Sequence, residues 1–366
     1  MSYLSVLDFQ CDNFPAFMNN KNIYKENIMN KITKLGVSAL CGSLAAISSA
    51  NAGELTVTGG VDMSWVSKDD ATTGNPIGMG SNLTFSGSGE LDNGWNVALS
   101  VALDNQNTYS NTNVVVTVPS LGDIRIDQGV SGTGISRIDD VTPTVWEEAY
   151  AMGIGSGINN VDGSSDGSTI EYTPNMLPEG LTGRFAYTPQ AGGGTANDKA
   201  TSSNGDSNPK GTGYDITLVA TDAITNMPGL TIYAGMSEIE QASISGYAGD
   251  AEEKTLAVVY AAGGFTLGYQ WSEEDLGTNT GALEYTNDGY GITFNVNDDL
   301  SVGYNHYESE QNNATNVTAE ATSLQVAYTM GGASIRLAEG QVENGSYQTG
   351  AGFDKDGTTL SVSLAF

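Results

Sequence analysis

The chain has 366 residues and a formal net charge of −30 at pH 7, with 43 acidic residues against 13 lysines and arginines. This charge repels phosphate, so it excludes nucleic acid as a natural partner and favours cations. Only 39% of the residues are hydrophobic, and no stretch after residue 52 approaches the roughly 18 unbroken apolar residues of a membrane helix. Composition alone is therefore typical of a soluble, secreted, loop-rich β-protein.

The amino-terminal region contains a predicted export signal. Residues 29–52 begin with a methionine and two nearby lysines, continue with an apolar run and end on Ala50-Asn51-Ala52, a small-residue cleavage site. We expect residues 29–52 to be a cleaved signal peptide, and residues 1–28 to be an upstream extension from a mis-assigned start. The mature chain, 53–366, then has no cysteine and carries nine basic residues against forty acidic ones.

From residue 55 onward, apolar residues alternate with polar or small ones, which is the period of an extended strand with two different faces. The stretch LTVTGGVDMSW (55–65) is the first example. LTFSGSGELDNGWNVALSVAL (83–103) predicts a hairpin around Asn93-Gly94, and VVVTVPSLGDIRID (114–127) predicts a second one. Further pairs continue to the final strand, TTLSVSLAF, which ends on Phe366.

About sixteen strands can be counted in this way, most of them near the 9–11 residues that a tilted membrane strand needs. Short turns alternate with eight long loops, of which 129–167 is the longest. This alternation is typical of a transmembrane antiparallel β-barrel and not of a soluble sandwich. The strand faces opposite the apolar ones carry Thr, Ser, Asn, Gln and Gly, which cannot fill a core. The sequence therefore predicts an all-β fold around a water-filled interior.

The third long loop has features of a docked segment. A loop of this length is usually functional or disordered, and its apolar residues, among them Ile135, Val145 and Ile154, favour docking over a solvated flap. The stretch TVWEEAYAM (144–152) predicts a short helix after Pro143.

Three segments give the chain a resemblance to a known family. LTFSGSGELDNGWNVALSVALD, the hairpin PSLGDIRID that runs into the third loop, and the terminal LSVSLAF resemble the general, trimeric porins of Gram-negative bacteria, especially the alphaproteobacterial type. The resemblance implies a sixteen-stranded homotrimeric barrel in the outer membrane, among its lipid and lipopolysaccharide. It also implies passive diffusion of small hydrophilic solutes, a third extracellular loop (129–167) folded into the lumen, and a barrel-assembly machinery that reads Phe366.

The same resemblance indicates candidate residues for the channel constriction. The acidic candidates in the third loop are Asp139, Asp140, Glu147 and Glu148. The family places basic residues on the wall across from this loop. The basic candidates are Arg125, Arg184 and Arg336, which strand parity points inward, and Arg137 in the loop itself. Because the early strands carry no arginine, the identity of the opposing wall stays open. Each arginine has two interpretations, a role in selectivity or a local salt bridge.

A weaker pattern concerns metal binding. DGSSDG (162–167) places Asp162, Ser164 and Asp166 at the alternating positions of the opening half of a calcium loop, but Thr173 stands where the closing glutamate is required. Two interpretations remain open, a site for calcium or another divalent cation and a flexible turn. No cofactor is required.

An enzyme is not expected, because catalytic triads and histidine-based zinc sites would all depend on the single histidine, His306. The leading hypothesis is a cation-selective diffusion channel, since a mouth lined by one sign of charge concentrates the opposite ion. The alternatives are a porin specific for a sugar or another small solute, and a structural or adhesive barrel.

Overall fold

The computed structural model describes residues 51–52, 55–69, 75–105, 108–129, 132–165, 167–192, 210–242, 246–313 and 316–365. Within these residues one antiparallel sheet accounts for nearly all regular structure. No helix in the described part of the chain is long and apolar enough to cross a membrane.

Sixteen strands form the wall, and a two-residue strand, β1 (Asn51–Ala52), precedes them. The wall strands are β2 Thr56–Lys68, β3 Ile77–Glu90, β4 Asn96–Asp104, β5 Thr108–Val118, β6 Gly122–Gly129, β7 Gly167–Pro174, β8 Leu181–Thr188, β9 Lys210–Ala220, β10 Leu230–Gln241, β11 Ala251–Ala262, β12 Phe265–Asp275, β13 Glu284–Asn295, β14 Leu300–Asn312, β15 Val317–Met330, β16 Ala333–Glu343 and β17 Lys355–Ala365.

The wall closes on itself. Each strand pairs with the next in antiparallel register, and β17 returns to pair with β2, where Val362 lies opposite Met63. This arrangement confirms the predicted antiparallel barrel of about sixteen strands. Strand β1 pairs with Gly89 and Glu90 of β3; because it ends the predicted signal peptide, cleavage after Ala52 stays a prediction. Phe366 lies outside the described residues.

The two faces of the wall differ in chemistry, as the alternating pattern predicts. Apolar side chains such as Val258, Leu267 and Leu324 are exposed on the outer face. Side chains with the opposite parity, such as Thr217 and Ser323, are polar and buried. Lipid covers an outer face of this kind, while the inner face needs no apolar residue. The low mean hydropathy follows from this, since only alternate residues have to be apolar.

Several strands extend beyond the apolar band. Residues 308–319 have a loop-like composition, yet β14 continues to Asn312 and β15 begins at Val317. The physical reason is that strand pairing satisfies backbone N–H and C=O groups whichever side chains they carry. The wall therefore rises into the polar region outside the membrane, and acidic side chains project from its outer face there.

This two-faced wall predicts how single charges affect stability. Val258→Arg, in the middle of β11 on the outer face, should lower the free energy of unfolding by about 2–4 kcal/mol, because arginine is costly at the bilayer midplane. Glu252→Arg is the matched control: it lies on the same strand and face but beyond the apolar band, and should cost about 0–1 kcal/mol. Denaturant titration of vesicle-embedded protein measures both. Equal losses would contradict the assigned orientation.

Candidate pore constriction

The segment between β6 and β7, described for residues 132–165, packs against the inward-facing side chains of the wall. Three inward carboxylates, called here the carboxylate anchors, accept hydrogen bonds from its backbone. Gly134 N donates to Glu171 Oε2 of β7 at 2.8 Å and Ile135 N to Asp215 Oδ2 of β9 at 3.0 Å. Gly163 N donates to Glu253 Oε2 of β11 at 2.7 Å. Both ends of the described segment are therefore held by buried wall carboxylates.

Amide side chains hold the middle of the segment. Val141 N donates to Gln270 Oε1 of β12 at 2.8 Å. Trp146 N donates to Gln325 Oε1 of β15 at 3.0 Å, and Ala149 N donates to Asn305 Oδ1 of β14 at 2.8 Å. The bond from Ala149 N uses a backbone group that the predicted helix would bond internally. Only a single 3-10 turn, Ala149–Ala151, forms where the sequence predicts a helix.

A small apolar cluster holds the part of the segment that reaches farthest round the wall. Ile154 is buried and packs in a cluster with Ala338 and Val342 of β16. It fits there because Gly340 and Gly357 line its site on β16 and β17, where a Cβ on either glycine would overlap the Ile154 side chain. The segment thus follows the inner wall from β7 round to β17.

Three of the four acidic candidates of this segment lie near one another, and the fourth lies apart from them. Asp139 and Asp140 share a side-chain hydrogen bond, and burial raises the pKa of both, with the charge of Asp140 adding to the effect on Asp139. Burial, together with the nearby Asp140, raises the pKa of Glu148 to about 7. Glu147 lies apart, near Arg336 and Asp62; burial raises its pKa and the Arg336 charge opposes this.

Three of the four arginine candidates form ion pairs with wall carboxylates. Arg137 Nη2 lies 2.7 Å from Glu171 Oε1, and Arg125 Nη2 lies 2.5 Å from Asp127 Oδ2. Arg336 Nη2 donates to Asp62 Oδ2 at 3.0 Å. Arg125 and Arg137 are both neighbours of Glu171, whereas Arg336 lies on a different part of the wall.

The remaining arginine contacts complete this picture. The Arg336 guanidinium also lies 5.5 Å from the ring centroid of Trp146 in the loop segment. Arg184 is close enough to Arg137 and Glu171 to interact with both charges. Arg125, Arg137 and Arg184 thus lie around Glu171 on β6 to β8, and Arg336 lies apart beside Asp62.

The calcium hypothesis is not decided by the geometry. Ser164 Oγ lies 3.1 Å from Thr188 Oγ1, and Asp162 N donates to Glu253 Oε2 at 3.0 Å. Asp166 lies outside the described residues, so the proposed site stays a prediction.

The parity of strand residues in the sequence points Glu171 and Asp215 inward, but it does not show that they accept backbone hydrogen bonds from the loop. Strand parity alone shows which way a carboxylate points. It does not show which backbone N–H group of the loop donates a hydrogen bond to that carboxylate.

Comparison with known proteins agrees with this architecture of a membrane-spanning barrel with a polar interior. A family model for Gram-negative porins matches residues 36–346. The chain belongs to the Gram-negative porin family, so it is an outer-membrane channel and not an enzyme. No curated protein sequence matches the chain.

Solved porin structures share the fold at low sequence identity. Salmonella typhi OmpF in complex with daunomycin has a TM-score of 0.65 at 14% identity, covering 86% of this chain and 98% of that one. An anion-selective porin from Comamonas acidovorans has a TM-score of 0.61 at 15% identity, with 86% and 100% covered. OmpT of Vibrio cholerae has a TM-score of 0.58 at 12% identity, with 86% and 98% covered. At these identities the likeness concerns the fold alone.

Because the carboxylate anchors hold the loop segment, we expect removal of one anchor to release it. Asp215→Ala removes the acceptor of Ile135 N, Ser164 N and Ser237 Oγ, and each unsatisfied donor costs about 1–3 kcal/mol if it stays buried. We expect the segment to detach and trypsin to cleave after Arg137 in the folded barrel. Limited proteolysis with mass spectrometry measures this cleavage.

The matched control is Asp123→Ala. Asp123 is an inward carboxylate of β6 that accepts a hydrogen bond from Thr117 Oγ1 at 2.7 Å and has no described contact with the loop segment. This variant should resist trypsin like the wild type. Equal resistance of the Asp215 variant would show that the anchors are dispensable.

Proposed function

We propose that this porin is a passive diffusion channel for small hydrophilic solutes and ions, that the 129–167 loop narrows its lumen, and that it prefers cations. The observation that carries the proposal is the pairing of the arginines. Arg125, Arg137 and Arg336 each lie within 3.0 Å of a carboxylate oxygen. An ion pair has little net field at a distance, so these residues cannot provide the basic wall that would attract anions.

The wall left uncovered by the loop supports the same proposal. Strands β3, β4 and β5 contain no lysine or arginine. Strand register gives their inner face polar neutral residues such as Thr84, Ser100 and Asn113, together with Glu90 and Asp104. The described charged side chains that form no ion pair with an arginine are therefore mostly acidic. A narrow mouth lined by negative charge concentrates cations.

The loop carboxylates make the proposed preference dependent on pH. A carboxyl group whose pKa is raised is neutral below that pKa and becomes negative as the pH rises through it. Glu148, with a pKa of about 7, and the Asp139–Asp140 pair would therefore gain negative charge between mildly acidic and mildly alkaline pH. Cation preference should increase in the same direction.

Reversal potentials in planar bilayers test the preference. In a KCl gradient near 0.1 M, where the Debye length is about 10 Å, we expect a potassium preference that is larger at about pH 9 than at about pH 6, and that fades near 1 M as the length falls to about 3 Å. Replacing Glu147 and Glu148 by Gln should reduce both the preference and its change with pH. The control is Asp123→Asn, outside the loop, which should keep the pH dependence.

Three outcomes would overturn parts of the proposal. Chloride preference in dilute salt would mean that the arginines control the narrowest point. Absence of conductance would mean a plugged barrel, and thus a structural or adhesive role. If sugars of equal size permeated proteoliposomes at very different rates, the pore would be specific for one solute.

We propose a homotrimer as the assembled form, with β2 to β5 at the subunit contact. The outer ends of these strands carry exposed apolar residues on the outer face, including Trp65, Ile77 and Met79. The same region of β10 to β16 carries outward glutamates instead, such as Glu252 and Glu320. An uncharged apolar patch at the level of the lipid headgroups is better suited to contact with another subunit than to contact with those headgroups.

Cysteine cross-linking tests this assembly, since the mature chain has no native cysteine. Met79→Cys should yield covalent dimers with a short bismaleimide in native membranes, because its side chain lies in the proposed contact. Leu256→Cys, exposed on the outer face of β11, is the control and should stay monomeric. Cross-linking of the control alone would place the contact on the opposite side of the barrel.

A further inference from the structure

Three potential metal ligands lie together on the outer face of β14 and β15, on the opposite side of the wall from the loop segment. His306 and Glu308 are two residues apart on β14 and so share a face, and Glu320 lies directly opposite Glu308 on β15. His306 Nε2 lies 2.9 Å from Glu308 Oε1. One ligand atom of each residue lies within 4.8 Å of the other two.

The surroundings of this cluster lack basic partners. Asp288, Glu308, Glu320 and Glu343 are directly opposed in one row across β13, β14, β15 and β16. Like charges in directly opposite positions destabilise a sheet. The only lysine or arginine on these four strands is Arg336, which bonds to Asp62 on the inner side. A bound cation would offset the repulsion among these carboxylates, which no basic residue on the outer face of the four strands compensates.

The imidazole is held in place before any ion binds. His306 is 7% exposed, and its ring stacks on Tyr290 of β13 with centroids 4.6 Å apart and an interplanar angle of 26°. Outward residues of β14 that lie nearer the middle of the membrane than His306, such as Tyr304, are apolar. Glu308 and Glu310 follow towards the outer rim of the barrel. The ring thus lies where the outer face changes from apolar to acidic, and its Nε2 faces the carboxylates.

We propose that His306, Glu308 and Glu320 bind a divalent transition-metal ion of the zinc type. One imidazole nitrogen and two carboxylate oxygens form a ligand set that zinc accepts, whereas calcium and magnesium bind oxygen ligands alone. Two ligands at about 2.0–2.2 Å from one zinc ion stand roughly 3.3 Å apart in tetrahedral geometry. The ligand atoms lie within 4.8 Å of one another, so zinc binding requires a small movement of the side chains, and a water molecule completes the coordination.

Calorimetric titration of untagged, chelator-treated full-length mature protein in detergent tests the proposal, with zinc ions as the titrant. We expect one zinc ion per chain, and a loss of affinity of more than about tenfold in His306→Gln and in Glu320→Gln. Even the loss of a group that only orients a metal ligand costs about 10–100-fold. Glu339→Gln is the matched control, because this outward glutamate of β16 bonds to Thr358 Oγ1 and lies outside the ligand set.

A chemical footprint gives a second measurement that does not depend on the stability of the variants. His306 is the only histidine in the chain, so its modification by diethyl pyrocarbonate can be read from one peptide by mass spectrometry. Zinc should slow the modification of the wild type and magnesium should not. Equal protection by magnesium, or unchanged zinc affinity in His306→Gln, would overturn the proposal.

Discussion

The closed ring of backbone hydrogen bonds is the constraint on which the rest of this structure depends. In a lipid environment an unpaired N–H or C=O group costs several kcal/mol, so every strand must have a neighbour on both sides. The pairing of β17 with β2 meets this requirement for the last strand and the first. Because the ring supplies the backbone bonds, the outer side chains need only be apolar, and the inner ones are free to be polar.

A polar interior changes the way in which a loop can be held. The segment 132–165 finds no continuous apolar core on the inner wall, so carboxylates and amides of the wall accept its backbone N–H groups instead. Glu171, Asp215 and Glu253 are each buried and used in this way. Apolar packing contributes at two places: Ile135, Ile138 and Val161 pack with Val219 and Tyr233 of the wall, and Ile154 packs where glycines and alanines of β15 to β17 leave room. Some of the carboxylates that contribute to the net charge of the chain thus serve to hold the loop, and not only to set the electric field in the channel.

Alternation lets one strand serve two separate environments. On β14, Asn305 and Tyr307 face inward and bond to the loop segment, with Tyr307 Oη 2.7 Å from Thr142 Oγ1. His306 and Glu308, their immediate neighbours, face outward. A substitution on one face therefore need not disturb the other, which allows selectivity on the inside and the proposed metal site on the outside to be changed independently.

The sequence by itself determined the class of fold, the direction in which each strand residue points and the position of the long third loop. These follow from local rules: a strand has a period of two, Asn-Gly favours a tight turn, and apolar residues on only one face require lipid or a core to cover them. The directions of Arg125 and Asp215 could be inferred in this way. The loop-like composition of residues 308–319 does not show that β14 continues to Asn312, since a ladder continues wherever a neighbouring strand is available to pair.

Only the tertiary structure decided which groups meet on the inner face of the wall and between the wall and the loop. Arg336 and Asp62 are far apart in the sequence and bond because β17 lies between β16 and β2 in the closed ring. The loop around Trp146 and Ala149 forms only a 3-10 turn in place of the predicted helix, and Gln325 and Asn305, on strands more than a hundred residues later, accept the two N–H groups. Barrel closure and loop docking set these contacts, and both depend on distances in space that a periodic pattern along the chain does not contain.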